Sequence, residues 1–289
     1  MRILNYLKLI RLNNWIKNLI IFSPLFFAGK IHDIFLLKHS FITFVSFSFL
    51  TSFIYILNDY VDIDYDRKHP TKRNRPLASG SVPILHAGIM ALVLLTLGLG
   101  IIYQLSLQTF YISLLYVAIM IAYCLVFRKI ALMDIGIIAI GFVLRLSIGS
   151  TVTGIPNSIW IIIMTFLLAI FIALAKRRDD LLILTIDDKM GRESLSGYNI
   201  HLVNSLITIL VPIIIVSYLL YCTAAENLVR VGENLYMTAI FVLVGFMRYL
   251  QLIYVNNLGG DPIKIISQDL SIQIIVLLWL GSFAWILYL

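Results

Sequence analysis

Charge is scarce in this 289-residue chain. Asp, Glu, Lys and Arg make up 13% of it, against about 25% in an ordinary soluble domain. Hydrophobic residues make up 61%, where about 45–50% is usual, and the mean hydropathy is +0.97. So little polar surface cannot cover a water-soluble core, which excludes a secreted scaffold, a disordered tail and a nucleic-acid-binding module together. Cysteine is nearly missing: Cys124 and Cys222 both fall in apolar stretches, so neither a disulfide framework nor a thiolate metal site is indicated. A Gly-rich phosphate loop, zinc-ligand spacing and a Ser/His/Asp grouping are absent, and the five His residues are scattered. The first apolar run, Leu19 to Ala28, lacks a convincing small-residue cleavage site and reads as a membrane helix, not as a removable leader.

What is there is a polytopic membrane protein. A helix needs about 20 apolar residues to cross the bilayer, and that ruler gives nine spans, at about 14–29, 40–59, 83–103, 108–127, 132–150, 157–175, 201–222, 236–255 and 269–288. The first is the shortest and carries Pro24, so a tilt or kink is expected there. No soluble domain fits between the spans, and residues 1–289 read as one transmembrane domain. With the N-terminus cytoplasmic, nearly all Lys and Arg fall on the inner side, and only Lys30, Lys38 and Arg230 fall outside. That asymmetry is the positive-inside pattern and accounts for the net charge of +7 without invoking nucleic acid.

Topology does not account for the acids, because the pattern depends on Lys and Arg and is indifferent to Asp. Most carboxylates nevertheless share the inner face. The densest group is Asn58-Asp59-Tyr-Val-Asp62-Ile-Asp-Tyr-Asp66, followed by Lys68, Lys72 and Arg75. If the second span continues as a helix, Asn58, Asp62 and Asp66 recur every four residues and line one face. Like charges this close repel unless a cation joins them. Oxygen ligands without His or Cys favour Mg²⁺, which takes one or two carboxylates and completes its shell with water and phosphate. Lys72 and Arg75 suit the phosphate charge that the ion leaves uncompensated. The plainer reading is a solvated helix end, but Asn58 and Asp59 close an apolar helix, where ionisable groups tend to face a cavity or aqueous path.

Other polar groups are more ambiguous. Lys176-Arg177-Arg178-Asp179-Asp180 leaves the sixth span, with Arg192 and Tyr198 following; a basic stop facing anionic lipid explains it as well as a phosphate site does. In Arg11-Leu-Asn-Asn-Trp15-Ile-Lys17-Asn18, Trp15 suits an interfacial belt, while Lys17 and Asn18 are candidates to hold a lipid-linked phosphate. Asp269 reads as a helix cap beside Arg248. Asp134 lies near the inner end of the fifth span, and Arg145 is deep in it, where an Arg costs about 2.5–3.5 kcal/mol on insertion scales. Arg145 must face the bundle interior or snorkel outward; the sequence leaves both open.

The run Asn58-Asp59-x-x-Asp62-x-x-x-Asp66, closing at Arg75-Pro76, resembles the signature of the UbiA superfamily of intramembrane prenyltransferases. The resemblance implies an all-α bundle of nine helices around a central cavity, with Mg²⁺ and a pyrophosphate at its cytoplasmic mouth. Aromatic prenyltransferases of that superfamily carry a second Asp-x-x-x-Asp pair after the sixth span, which this sequence lacks. Lys176-Arg177 with Asp180, Arg192-x-x-Leu195-x-x-Tyr198, Arg11 with Trp15-x-Lys17-Asn18, and Leu144-Arg145 are instead similar to the decaprenyl-phosphate phosphoribosyltransferase branch.

That branch implies transfer of 5-phosphoribosyl from phosphoribosyl pyrophosphate to a polyprenyl (decaprenyl-type) phosphate, for cell-envelope synthesis. Asp59, Asp62 and Asp66 would be catalytic, with Asn58 joining them around the metal. Lys17, Asn18, Lys72, Arg75, Lys176, Arg177, Asp180, Arg192 and Tyr198 would bind substrate. The physics agrees: a donor with a pyrophosphate and a separate 5-phosphate needs two cationic stations. Two alternatives stand beside this reading, a prenyl transfer from a prenyl diphosphate to an aromatic or other acceptor, and transport of an anionic metabolite. The expected setting is the bacterial inner membrane with the site facing the cytoplasm, and a homo-oligomer is compatible with the sequence.

Overall fold

The computed structural model describes residues 2–68, 72–184, 195, 197–256, 265 and 268–288. All regular structure among them is helical. The chain divides into two compact units, one of Met1–Arg128 with Ile140–Asn157, the other of Lys129–Ala139 with Ser158–Leu289.

The first unit opens with α1 (Arg2–Ile10), a 3₁₀ helix (Leu12–Phe22) and the short α2 (Ser23–Phe27), and then builds α3 (Ile34–Val61), α4 (Ile63–Lys68), α5 (Ile84–Leu105) and α6 (Leu107–Leu125). The second half of α7 (Met133–Thr153) completes it. Local signals set these boundaries. Asp33 caps α3 by accepting from the Leu36 N–H at 3.1 Å, and Ser106 both ends α5 and caps α6, each satisfying an orphan donor of a first turn. Within α3, small hydroxyl residues are buried at Ser46, Ser48, Thr51 and Ser52, which permits close helix approach in a membrane. At Gly98 of α5 an added Cβ would lie 2.8 Å from the Ser46 carbonyl oxygen, so only glycine lets α5 press onto α3. An apolar cluster of Leu9, Ile56, Ile63, Leu77, Val82 and Ala87 closes the end of α3 that carries the acids.

The second unit comprises the start of α7, then α8 (Ile159–Leu184), α9 (Ile200–Thr223), α10 (Ala225–Val231), a 3₁₀ helix (Glu233–Thr238), α11 (Ala239–Tyr254) and α12 (Leu270–Tyr288). α8 packs along α9 and α11 against α12, around a core that includes Phe171, Leu174, Val203, Ile207, Tyr249 and Ile253.

Eight helices among the described residues are long and apolar enough to cross a bilayer, and the protein is a multi-pass membrane protein. The stretch expected as the first of nine spans is not among them. It forms the 3₁₀ helix Leu12–Phe22 and then α2, in whose first turn Pro24 sits; proline's missing N–H is harmless there, and the residue starts a new helix. Two expected boundaries also move. α3 starts at Ile34 because Asp33 caps it, and α8 runs on to Leu184, so Lys176, Arg177 and Arg178 lie within a helix and not at the start of a loop.

Candidate functional site

Asp62 stands at the joint between α3 and α4 with φ −95° and ψ 3°. Even so, its N–H donates to the Asn58 carbonyl at 3.0 Å and the Asp66 N–H donates to the Asp62 carbonyl at 2.8 Å. The i to i−4 ladder therefore passes through the joint, and Asn58, Asp62 and Asp66 share a face as their spacing predicts. Asp59, Asp62 and Asp66 are all buried.

Three arginines, two of them distant in sequence, meet these acids. Arg11, whose backbone is left-handed at φ 56°, pairs with Asp59. Arg75 bridges two acids through one nitrogen, 3.1 Å from Asp59 Oδ1 and 2.7 Å from Asp66 Oδ2. Arg128 pairs with Asp62 Oδ1, while Asn58 Nδ2 donates to Asp62 Oδ2 at 3.2 Å. The loop that delivers Arg75 is tied down locally: its N–H donates to the Lys72 carbonyl at 2.9 Å, and Arg67 donates to the Ala78 carbonyl at 3.3 Å. Lys72 lies 5.4 Å from the Tyr65 ring centre. The cation that joins the acids in the structure is thus guanidinium. Arg11 and Arg128 were not among the expected site residues; their shared inner-side placement with the acids was the available signal.

The donor set still suits a divalent ion. Among the described residues no three His, Cys, Asp or Glu side chains converge as a metal site. Mg²⁺ does not require that, because it commonly takes one or two carboxylates and fills its shell with water and phosphate. Among the described residues, Asp66 Oδ1 is buried without a hydrogen-bond partner, an acceptor left open where unsatisfied polar atoms are costly.

The second unit holds a different cluster. Arg177 donates through Nε at 2.9 Å and Nη2 at 2.7 Å to Asp134 Oδ2, and through Nη1 at 2.8 Å to Asp180 Oδ2. The Tyr198 hydroxyl donates to Asp134 Oδ1 at 2.7 Å and accepts the Leu132 N–H at 2.7 Å. Burial pushes the Tyr198 phenol well above its ordinary pKa, and the bond to the Asp134 carboxylate pushes it the same way; it stays protonated and donates. Direct substrate contact was expected of Arg177 and Tyr198, but both are buried and joined to Asp134. Lys176, one residue before Arg177, is exposed. Arg192 lies outside the described residues. The Arg248–Asp269 pairing and capping are as expected, with Nη2 2.7 Å from Asp269 Oδ2 and the Ile272 N–H 2.9 Å from Asp269 Oδ1.

Near the start of the chain, Trp15 donates to Ser52 Oγ at 3.0 Å, and Lys17 is half-buried. Asn18 is fully buried, with its amide nitrogen 2.9 Å from Ser48 Oγ and 3.1 Å from Thr51 Oγ1. Arg145 does not snorkel; it is buried and reaches Asn18 Oδ1 at 3.0 Å.

Comparison with known proteins bears on the family and the fold. The UbiA prenyltransferase family matches residues 19–265. The chain belongs to that family. A decaprenyl-phosphate phosphoribosyltransferase of Mycolicibacterium smegmatis is 30% identical over 98% of this chain and 92% of its own length. A protein of the same name from Corynebacterium glutamicum is 27% identical over 98% of this chain and 86% of its own. Among solved structures, a UbiA homolog from Archaeoglobus fulgidus bound to DMAPP and Mg²⁺ superposes with a TM-score of 0.72 at 20% identity, covering 98% of this chain and 99% of that one. The fold is that of the UbiA family, and the match runs through segments of both compact units.

Proposed function

We propose that this UbiA-family protein, acting as a single transferase domain over its whole length, moves 5-phosphoribosyl from phosphoribosyl pyrophosphate to a polyprenyl phosphate and releases pyrophosphate. The observation that carries the reading is the buried group of Asp59, Asp62 and Asp66 interleaved with Arg11, Arg75 and Arg128. Carboxylates alone would suit a metal and arginines alone a phosphate; together they suit a metal–diphosphate, whose two components have opposite charge. The names of relatives that share nearly the whole chain favour a polyprenyl phosphate acceptor and a phosphoribosyl donor.

Asn58, Asp59, Asp62 and Asp66 would hold Mg²⁺, which supplies charge neutralisation of the leaving diphosphate. Arg75 and Arg128, joined by Lys72, donate hydrogen bonds to the diphosphate oxygens as negative charge builds on them. The C1–O bond to pyrophosphate breaks through an oxocarbenium-like state, as at other glycosyl centres, while an oxygen of the lipid phosphate forms the new bond to C1. That acceptor is already an anion and needs no strong base, so the chain's contribution is positioning and preorganised charge. Lys17 is assigned to the lipid phosphate. Lys176 and Arg192 are assigned to the 5-phosphate, with Arg177, Asp180, Tyr198 and Asn18 in supporting roles. The active face is proposed to be cytoplasmic, from the distribution of Lys and Arg.

The test is the lipid product. Purified protein is given labelled phosphoribosyl pyrophosphate with polyprenyl phosphate, or a prenyl diphosphate with an aromatic acceptor, each with magnesium or with EDTA. A phosphoribosylated lipid formed only with magnesium is expected. Prenylated acceptor with no phosphoribosyl product overturns the substrate assignment in favour of ordinary prenyl transfer.

A further inference from the structure

Arg145 is a buried guanidinium in the middle of a membrane-crossing helix, and among the described residues no carboxylate pairs with it. Its partners are neutral: Asn18 Oδ1 at 3.0 Å, the Gly141 carbonyl at 2.9 Å and the Tyr116 hydroxyl at 2.8 Å. Three rings surround it, with centres 4.9 Å away at Tyr116, 5.0 Å at Phe142 and 5.7 Å at Phe47. One turn further along α7, an added Cβ at Gly149 would strike the Ile21 carbonyl oxygen. Residues four apart share a helix face, so α7 grips the 3₁₀ helix Leu12–Phe22 at two points, Asn18 by hydrogen bond and Ile21 by backbone contact.

That helix needs such a grip. It runs for 11 residues, whereas 3₁₀ hydrogen bonding is poor enough that runs beyond 3–4 residues are uncommon. Its own ladder therefore fixes its register weakly, and side-chain anchors must do so. Asn18 is the central anchor: its oxygen accepts from Arg145 and its nitrogen donates to Ser48 and Thr51 of α3. At the start of the same 3₁₀ helix stands Arg11, left-handed at φ 56° and paired with Asp59.

We infer that Arg145 is a positioning residue. Acting through Asn18, and with Gly149 keeping Ile21 close, it sets the register of the 3₁₀ helix that delivers Arg11 to Asp59 and so sets how the acidic group receives a diphosphate. This rests on the diphosphate reading above, and the test separates the two. Full-length protein in nanodiscs carries Asn18→Ala, Arg11→Ala or both, with Arg145→Lys as a further variant that keeps the charge and loses the planar fork. Hydrogen exchange is followed along the chain, and binding of Mg²⁺–pyrophosphate is titrated. Asn18→Ala and Arg145→Lys should raise exchange in Leu12–Phe22 and leave α9 unchanged. Asn18→Ala should weaken pyrophosphate about fivefold or more, and should add almost nothing once Arg11 is alanine, because contacts that act through one another are not additive. Unchanged exchange, a uniform rise in exchange across both units, or fully additive binding losses would overturn the inference. Parent protein that binds no Mg²⁺–pyrophosphate rejects the diphosphate reading, while the local or uniform character of the exchange still decides whether Arg145 holds the segment.

Discussion

Two arginine–aspartate clusters in this chain use the same residue types for different ends. Around Asp59, Asp62 and Asp66 the arginine side chains are 21%, 24% and 19% exposed at Arg11, Arg75 and Arg128, and one carboxylate oxygen of Asp66 has no partner among the described residues. Around Asp134, the Arg177 side chain is 5% exposed, the aspartate is fully buried, and both carboxylate oxygens are engaged. An exchangeable cluster needs cations that water can reach and acceptors still open; a sealed, satisfied one serves to fix elements to each other. This contrast supports the proposal that the first cluster is the chemical site and the second a brace joining α7, α8 and the approach to α9.

The contrast breaks most sharply at Asp134. Replacing it with alanine removes the fully buried partner of Arg177 and leaves the partly exposed Asp180 as its carboxylate, a loss expected toward the lower end of the about 3–5 kcal/mol seen when one partner of a buried pair is removed. Denaturation of the purified variant in detergent should show that loss. Asp66→Asn should do the reverse, lowering transfer by about 10²–10³-fold, the range for loss of a preorganised electrostatic group, with near-parental unfolding. A variant pair in which Asp66→Asn unfolds and Asp134→Ala only slows turnover would invert the assignment of the two clusters.

Tyr198→Phe sharpens the same comparison at smaller scale. It removes the donor to Asp134 and strands the Leu132 N–H, at a residue whose φ is already +68°. A hydrogen bond to a charged group is worth about 1.5–3 kcal/mol. As part of a brace, Tyr198 should lose stability with little change in KM for the donor; a raised KM at unchanged stability would return it to the substrate contacts.

The sequence carried the acids more fully than it carried their partners. Asn58, Asp62 and Asp66 are close in the chain, so helical period alone predicts their common face, and the joint at Asp62 does not disturb it. The family was legible from the same run and its closing Arg75-Pro76. Arg11 and Arg128 were not, because they are brought to Asp59 and Asp62 by tertiary packing, which a reading of local spacing cannot see. The 3₁₀ helix was hidden for a related reason. Residues 14–29 have the hydropathy of a span, but the conformation of Leu12–Phe22 is set by contacts from α3 and α7. At the other end of the chain, Asp269 stands at a helix start and Arg248 lies 21 residues earlier in α11, so capping and span placement were enough to suggest the pair.

That third pair marks the open end of the series and gives the smallest effect. Arg248 and Asp269 are linked by a 2.7 Å bond, with side chains 31% and 14% exposed. The Arg248 hydrogen bond, helped by the Ile272 N–H at the helix start, holds the Asp269 carboxyl below its ordinary pKa. A carboxyl whose pKa is lower folded than unfolded stabilises the fold above the unfolded value, about 3.9, and loses that contribution as pH falls through the folded value. The difference in unfolding temperature between parent and Asp269→Asn should therefore be small, constant from neutral pH down to about 5, and should shrink only below about 4. It should also weaken with added salt, because exposed pairs are screened where buried ones are not. A difference as large as that of Asp134→Ala, or one insensitive to salt, would mean that exposure does not rank the three pairs.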